Sequence, residues 1–212
     1  MTFPVGYNLI PVNPMKEVEE RLAELYSAGY SRSRVKTPIS FDQDICPSSF
    51  EVFDEILSKQ VAKPKDNDFF SVYSMWDNLF TMLAHSPYIL DISRVVYFEA
   101  LAYLKDDDYL SSLCGAGRPD ALPPSAKVTS EMYDIVDRSN RSFFFAMQTR
   151  IDIGAFRLNE FGLLTEEADA VALYDLVKNE NAREGEMIRL VKVSVIDKRP
   201  LQEEMERLVL HL

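Results

Sequence analysis

DFFSVYSMWDNLFTMLAHSPYILDISRVVYFEALAYLK, residues 68–105, is the most densely apolar stretch of the chain. It holds the single tryptophan, Trp76, with many other aromatics and few charges. A helix that is hydrophobic on every side has to be covered by other helices. Ser86 and Pro87 divide the stretch where a helix start is expected, because serine caps and proline at the first helical position loses an N–H that has no partner anyway. The stretch therefore predicts a buried helical hairpin around which the rest of the chain is arranged.

On its N-terminal side, Ser48-Ser49-Phe50-Glu51 is a capping box, and Phe50, Phe53, Ile56, Leu57 and Val61 then repeat at helical spacing. Asn13-Pro14 opens an earlier helix that Gly29 closes, with Met15, Val18, Leu22, Leu25 and Tyr26 on one face. Residues 30–47 have no period and read as a connection. The first dozen residues, MTFPVGYNLIPV, are extended by composition and either lie along the core or reach a neighbour.

On its C-terminal side, Asp106–Asp108 cap a short helix that stops at Gly115, and GAGRPDALPPSAK (115–127) is a loop. Thr129 is placed to start a long helix with Met132, Val136, Phe143 and Met147 on one stripe. Thr165 caps another, with Glu166, Glu167 and Asp169 in its first turn and Ala170, Leu173, Tyr174 and Val177 on its buried side. IRLVKVSVI (188–196) is β-branched and reads as a strand, although it also fits a helical period. Its alternation slips between Leu190 and Val191, which predicts a bulge. Leu201, Met205, Leu208 and Leu212 mark a last amphipathic helix.

The fold class expected is mainly α: about eight helices in a single compact domain over 1–212, with one or two short β-strands near the C-terminus. If the chain divides further, sub-lobes 1–114 and 128–212 meet at the loop 115–127.

A hydrophobic content of 47% fills a real core, and a net charge of −11 argues against a protein that coats nucleic acid by charge alone. Cys46 and Cys114 form no CxxC pair and read as free thiols of a reducing compartment, with one long-range disulfide as the alternative. The longest apolar runs are interrupted by Asp77, Asn78, Asp91 and Glu99, so no membrane span is expected and the chain reads as soluble and cytoplasmic.

The residues for chemistry are sparse. His85 and His211 belong to no HExxH or Cys/His cluster, and there is no GxSxG elbow. Gly115 and Gly117 lack the Lys-Ser/Thr of a phosphate loop. No catalytic residue, cofactor or metal is expected. Two basic stretches are candidates for a partner. Arg32, Arg34 and Lys36 alternate, and Arg138, Arg141, Arg150 and Arg157 surround the aromatic run 143–145. Arginine beside aromatics suits RNA or a phosphorylated partner, and ion pairs with neighbouring acids account for the same pattern.

RLNEFGLLT (157–165), followed by a helix, a β-rich run and a last helix, is similar in outline to the end of some winged-helix domains. The likeness covers a minor part of the chain and lacks a basic recognition helix, so it transfers no functional residue.

The function these features suggest is non-enzymatic binding of another protein or of a second copy. The surfaces expected to serve are the extended N-terminus, the helix bearing Leu201, Met205, Leu208 and Leu212, and an unpaired edge on the strand 188–196. Three alternatives differ in class: nucleic-acid binding through the arginines, an acidic nucleic-acid mimic, and an enzyme whose site is assembled from distant residues.

Overall fold

The structure is a computed structural model, and it describes residues 2–12, 79, 80, 83, 89–101, 121–137, 156, 158–181 and 188–209. Within them lie strand β1 (Thr2–Pro11), a single helical turn α1 (Ile89–Ile92), strands β2 (Ser93–Leu101) and β3 (Val128–Asp137), helix α2 (Glu167–Asn181), strand β4 (Ile188–Ile196) and helix α3 (Arg199–Val209). The four strands form one antiparallel sheet in the order β1-β2-β4-β3.

This corrects the mainly-α expectation. Among the described residues there are two full helices against four strands. The second half of the presumed helical hairpin is β2, and the helix placed from Thr129 is β3. The reason is burial. Val95, Val96, Tyr97, Phe98 and Ala100 are all at 0–1% exposure, on both faces of β2. A strand covered on both faces needs no polar alternation and presents the same unbroken apolar run as a buried helix. The β-branched pair Val95-Val96 followed by two aromatics is the signal that favours a strand.

One face of the sheet carries Val95, Tyr97, Ile135, Leu190 and Ile196. On it α3 packs through Leu201 and Met205, together with the helical residues Leu79 and Leu83, and α2 packs through Ala170, Leu173, Tyr174 and Val177. Both helices therefore lie on the same side, since Ile188, Leu190 and Ile196 share a parity along β4. The opposite face carries Val96, Phe98, Ala100, Met132, Val136, Val191 and Val193, with Leu163 and Phe161 packed against it.

The edge strands are finished by local devices. Gly6 of β1, at φ 142, sits beside the register shift between Pro4 and Gly6, a conformation that favours glycine. The loop 158–164 is a tight turn in which Asn159 Oδ1 accepts the N–H groups of Phe161 (2.9 Å) and Leu163 (3.1 Å), and Gly162 takes φ 76. Leu164 exchanges two backbone hydrogen bonds with Tyr133 on the outer side of β3. Leu163 and Leu164 then straddle that edge, one packed on each face. The winged-helix outline stops short here, because β4 lies inside a four-stranded sheet.

Two further expectations are corrected. β4 has no open edge: it pairs with β2 on one side and β3 on the other. Its register also runs unbroken through Leu190 and Val191, and the apparent slip reflects burial on both faces, while the shift lies in β3 between Val128 and Ser130. The helices expected before residue 68 and over 106–114, and the first half of the hairpin apart from Leu79, Phe80 and Leu83, lie outside the described residues.

Candidate functional site

On the helix-bearing face, the apolar contacts of α2 and α3 are separated by a row of polar side chains. The register sets Tyr133 opposite Lys192, Glu131 opposite Ser194, and Glu99 opposite Lys192. Lys192 Nζ reaches Glu131 Oε1 at 2.6 Å, and the Tyr133 hydroxyl donates to Glu167 Oε2 at 3.4 Å. Tyr133 thereby ties β3 to the first turn of α2.

The electrostatics fix the protonation of this row. Burial works against the Lys192 ammonium, but its hydrogen bond to Glu131 and the charges of Glu131 and Glu99 outweigh it, so its pKa is raised. Tyr133 is raised too, by burial first and then by Glu167. At neutral pH both keep their protons. Neither is the depressed-pKa lysine or phenolate that nucleophilic or general-base chemistry uses. The row can hold charge in place and present it; it is a poor proton shuttle.

The outer sides of the two helices complete this face. On α3, Glu203, Glu204, Glu206 and Arg207 are exposed. On α2, Asp175, Lys178 and Asn179 are exposed, with Ala168, Ala172 and Leu176 beside them. Lys178 lies over the Tyr174 ring, its Nζ 5.6 Å from the centroid. At 48% exposure, Leu176 is the large exposed hydrophobic among the described residues.

The opposite face contains buried polar groups. Arg189 is 1% exposed, and Asp134 and Asn8 are at 5% and 1%. Each has its own interaction partners in the fold, as burial of a charge requires. Arg94 donates to the Val12 carbonyl at 3.2 Å and stacks over Phe161 at 5.4 Å, and burial lowers its pKa. A crevice between β3, the loop 158–164 and Leu173 has room for little more than a water molecule.

Of the residues singled out from sequence, Leu201 and Met205 are at 1% and 5% exposure, so their surface is taken up by the chain's own core. The side chains of Leu208 and Leu212 lie outside the described residues. So do Arg32, Arg34, Lys36, Arg138, Arg141, Arg150 and Arg157, as do both histidines and both cysteines. Among the described residues no three His, Cys, Asp or Glu side chains are grouped to hold a metal ion. No helix among them is long and apolar enough to cross a membrane.

Sequence reasoning missed Glu131, Tyr133, Lys192 and the outer stripe of α2. Alternation would have set Glu131 and Tyr133 on one face once 128–137 was taken as a strand. Ala168, Ala172 and Leu176 are four residues apart, opposite the stripe that was found. Together these elements define an antiparallel sheet with two helices on one side and a charged, mainly acidic outer surface. Compared with models of known protein families, with curated proteins and with solved structures, the chain matches none.

Proposed function

We propose that this chain is a non-enzymatic protein-binding module that engages its partner through the outer side of its helical layer. The observation that carries this reading is the placement of α2 and α3 on the same face of the sheet. That placement sets the exposed Asp175 of α2 and the exposed Glu203, Glu204 and Glu206 of α3 on the same side of the sheet, with Leu176 exposed on α2. Protein interfaces combine such an apolar anchor with a charged rim that steers encounter. The polar row supports the same reading, because Lys192 and Tyr133 keep their protons and are held in place, Lys192 by Glu131 and Tyr133 by Glu167.

The test is affinity capture from the native host with the wild-type chain and with Asp175→Lys/Glu203→Lys/Glu204→Lys. The wild type should retain a defined protein that the variant releases. Identical capture by both would remove the helical layer as the binding surface.

The nucleic-acid-mimic reading draws on the same gathering of carboxylates. It differs in its partner, and competition by duplex DNA or RNA for the captured protein separates the two.

A further inference from the structure

Helix α2 carries apolar residues on two sides, the outer row ending at the exposed Asn179. The inner side is used by Ala170, Leu173, Tyr174 and Val177. At about 100° per residue, Ala168, Ala172 and Leu176 form a second stripe on the outer side, and all three are exposed. A surface helix is normally polar there, as α3 is with Glu203, Glu204 and Glu206. Asp169 flanks the outer stripe on one side and the exposed Asp175 flanks it on the other. The two alanines make a low floor along which another helix can approach closely, and Leu176 stands above it as an anchor.

The geometry points to this stripe as the docking site for a basic amphipathic helix of a partner protein. Its apolar residues would lie on Ala168, Ala172 and Leu176, with lysine or arginine beside Asp169 and Asp175. This rests on the protein-binding reading above and gives the partner its chemistry. Charge decides between the occupants. A second copy would bring Asp169 and Asp175 against the same carboxylates, and a nucleic acid would bring phosphates against them. The sheet edges are poorer docking sites, because the loop 158–164 wraps β3 and the N–H groups of Leu9 and Ile135 are bound to Asn8 and Asp134.

The experiment uses the full chain and a labelled synthetic helix of leucine, lysine and alanine, with leucines at i, i+4 spacing, followed by fluorescence anisotropy. A control peptide carries glutamate in place of lysine. The lysine peptide should bind, and bind more weakly as salt is raised. Leu176→Asp should cost about tenfold or more in affinity. Asp169→Lys/Asp175→Lys should lose the lysine peptide and gain the glutamate one. Circular dichroism checks that the variants keep their fold.

Equal binding of both peptides, or indifference to Leu176→Asp, overturns the proposal. So does a concentration-dependent dimer of the wild type that Leu176→Asp abolishes, which assigns the stripe to a second copy. Failure here is separated from failure of the broader reading by a photo-crosslinking residue placed at Leu176 or at Glu204 in native-host extract. Protein adducts at Glu204 alone remove α2 as the docking site and leave protein binding standing. No adduct at either position, with no peptide bound, removes both.

Discussion

Asp134 turns its Oδ1 onto the backbone N–H of the next residue, Ile135, at 2.8 Å, and on the far edge of the sheet Asn8 does the same to Leu9 at the same distance. Both edge strands thus bind one of their own N–H groups with a buried side chain. An unpaired edge is a template for another strand, and proteins block it with local devices of this kind.

Asp134→Leu should therefore leave the Ile135 N–H without its acceptor and destabilise the fold by about 1–3 kcal/mol. Urea unfolding measures the loss. Light scattering should in addition show association that grows with concentration. A variant that loses stability but stays monomeric would assign Asp134 a structural role only.

Asp197 begins α3 by accepting the backbone N–H of Arg199 at 3.1 Å and its guanidinium at 2.6–3.1 Å. The side-chain bonds from Arg199, then its backbone N–H, hold the carboxyl at about 2, against an ordinary 3.8. A depressed carboxylate contributes stability above its unfolded pKa and loses it as pH falls through the folded one. The Asp197 contribution is accordingly complete above 3.8 and disappears towards pH 2. In Arg199→Gln, the Asp197 carboxyl carbon followed by NMR should titrate at a higher pH than in the wild type. An unmoved midpoint would mean that Arg199 is not the cause.

Two substitutions on the helix-bearing face should rank in a definite order. Lys192 and Glu131 are close, but their side chains are 21% and 50% exposed, so Lys192→Met should change stability by less than about 1 kcal/mol. Leu173→Ala removes a side chain at 1% exposure between α2 and the sheet and should cost about 2–5 kcal/mol. Chemical denaturation of both variants decides the order, and a reversed ranking would mean that the polar row, not the apolar contact, seats α2.

Lys198 donates its ammonium to the Leu90 and Ser93 carbonyls, where α1 passes into β2. Lys198→Met should free both acceptors and cost about 1–2 kcal/mol. Amide exchange over residues 89–93 should quicken more than exchange in β3. Uniform acceleration across the sheet would point to a global effect and not to this corner.

The elements legible in the sequence are those with a polar side. α2 and α3 are found where the caps and stripes place them, because Glu166, Glu167, Glu203 and Glu204 are exposed and keep the helical period visible. The extended N-terminus was legible from Pro4 and Gly6, and it is β1. β4 was legible from its β-branched residues. β2 was not, since burial of both its faces erased the period that separates strand from helix. In β3, Met132 and Val136 are four apart and mimic a helical stripe, while Tyr133 and Ile135 between them pack on the other face. The candidate site was hidden for the same reason: Glu131, Tyr133 and Lys192 meet only through strand register.

The position of β4 has a consequence for how the chain acquires its structure. β1 and β2 can pair as soon as both have been synthesised, but β2 and β3 touch only through β4, which is translated after all of them. Until Ile188–Ile196 has been synthesised, β3 has no neighbour through which to join the β1–β2 pair. Closure of the sheet therefore waits for the insertion of β4 between β2 and β3, the kind of non-local pairing that slows folding.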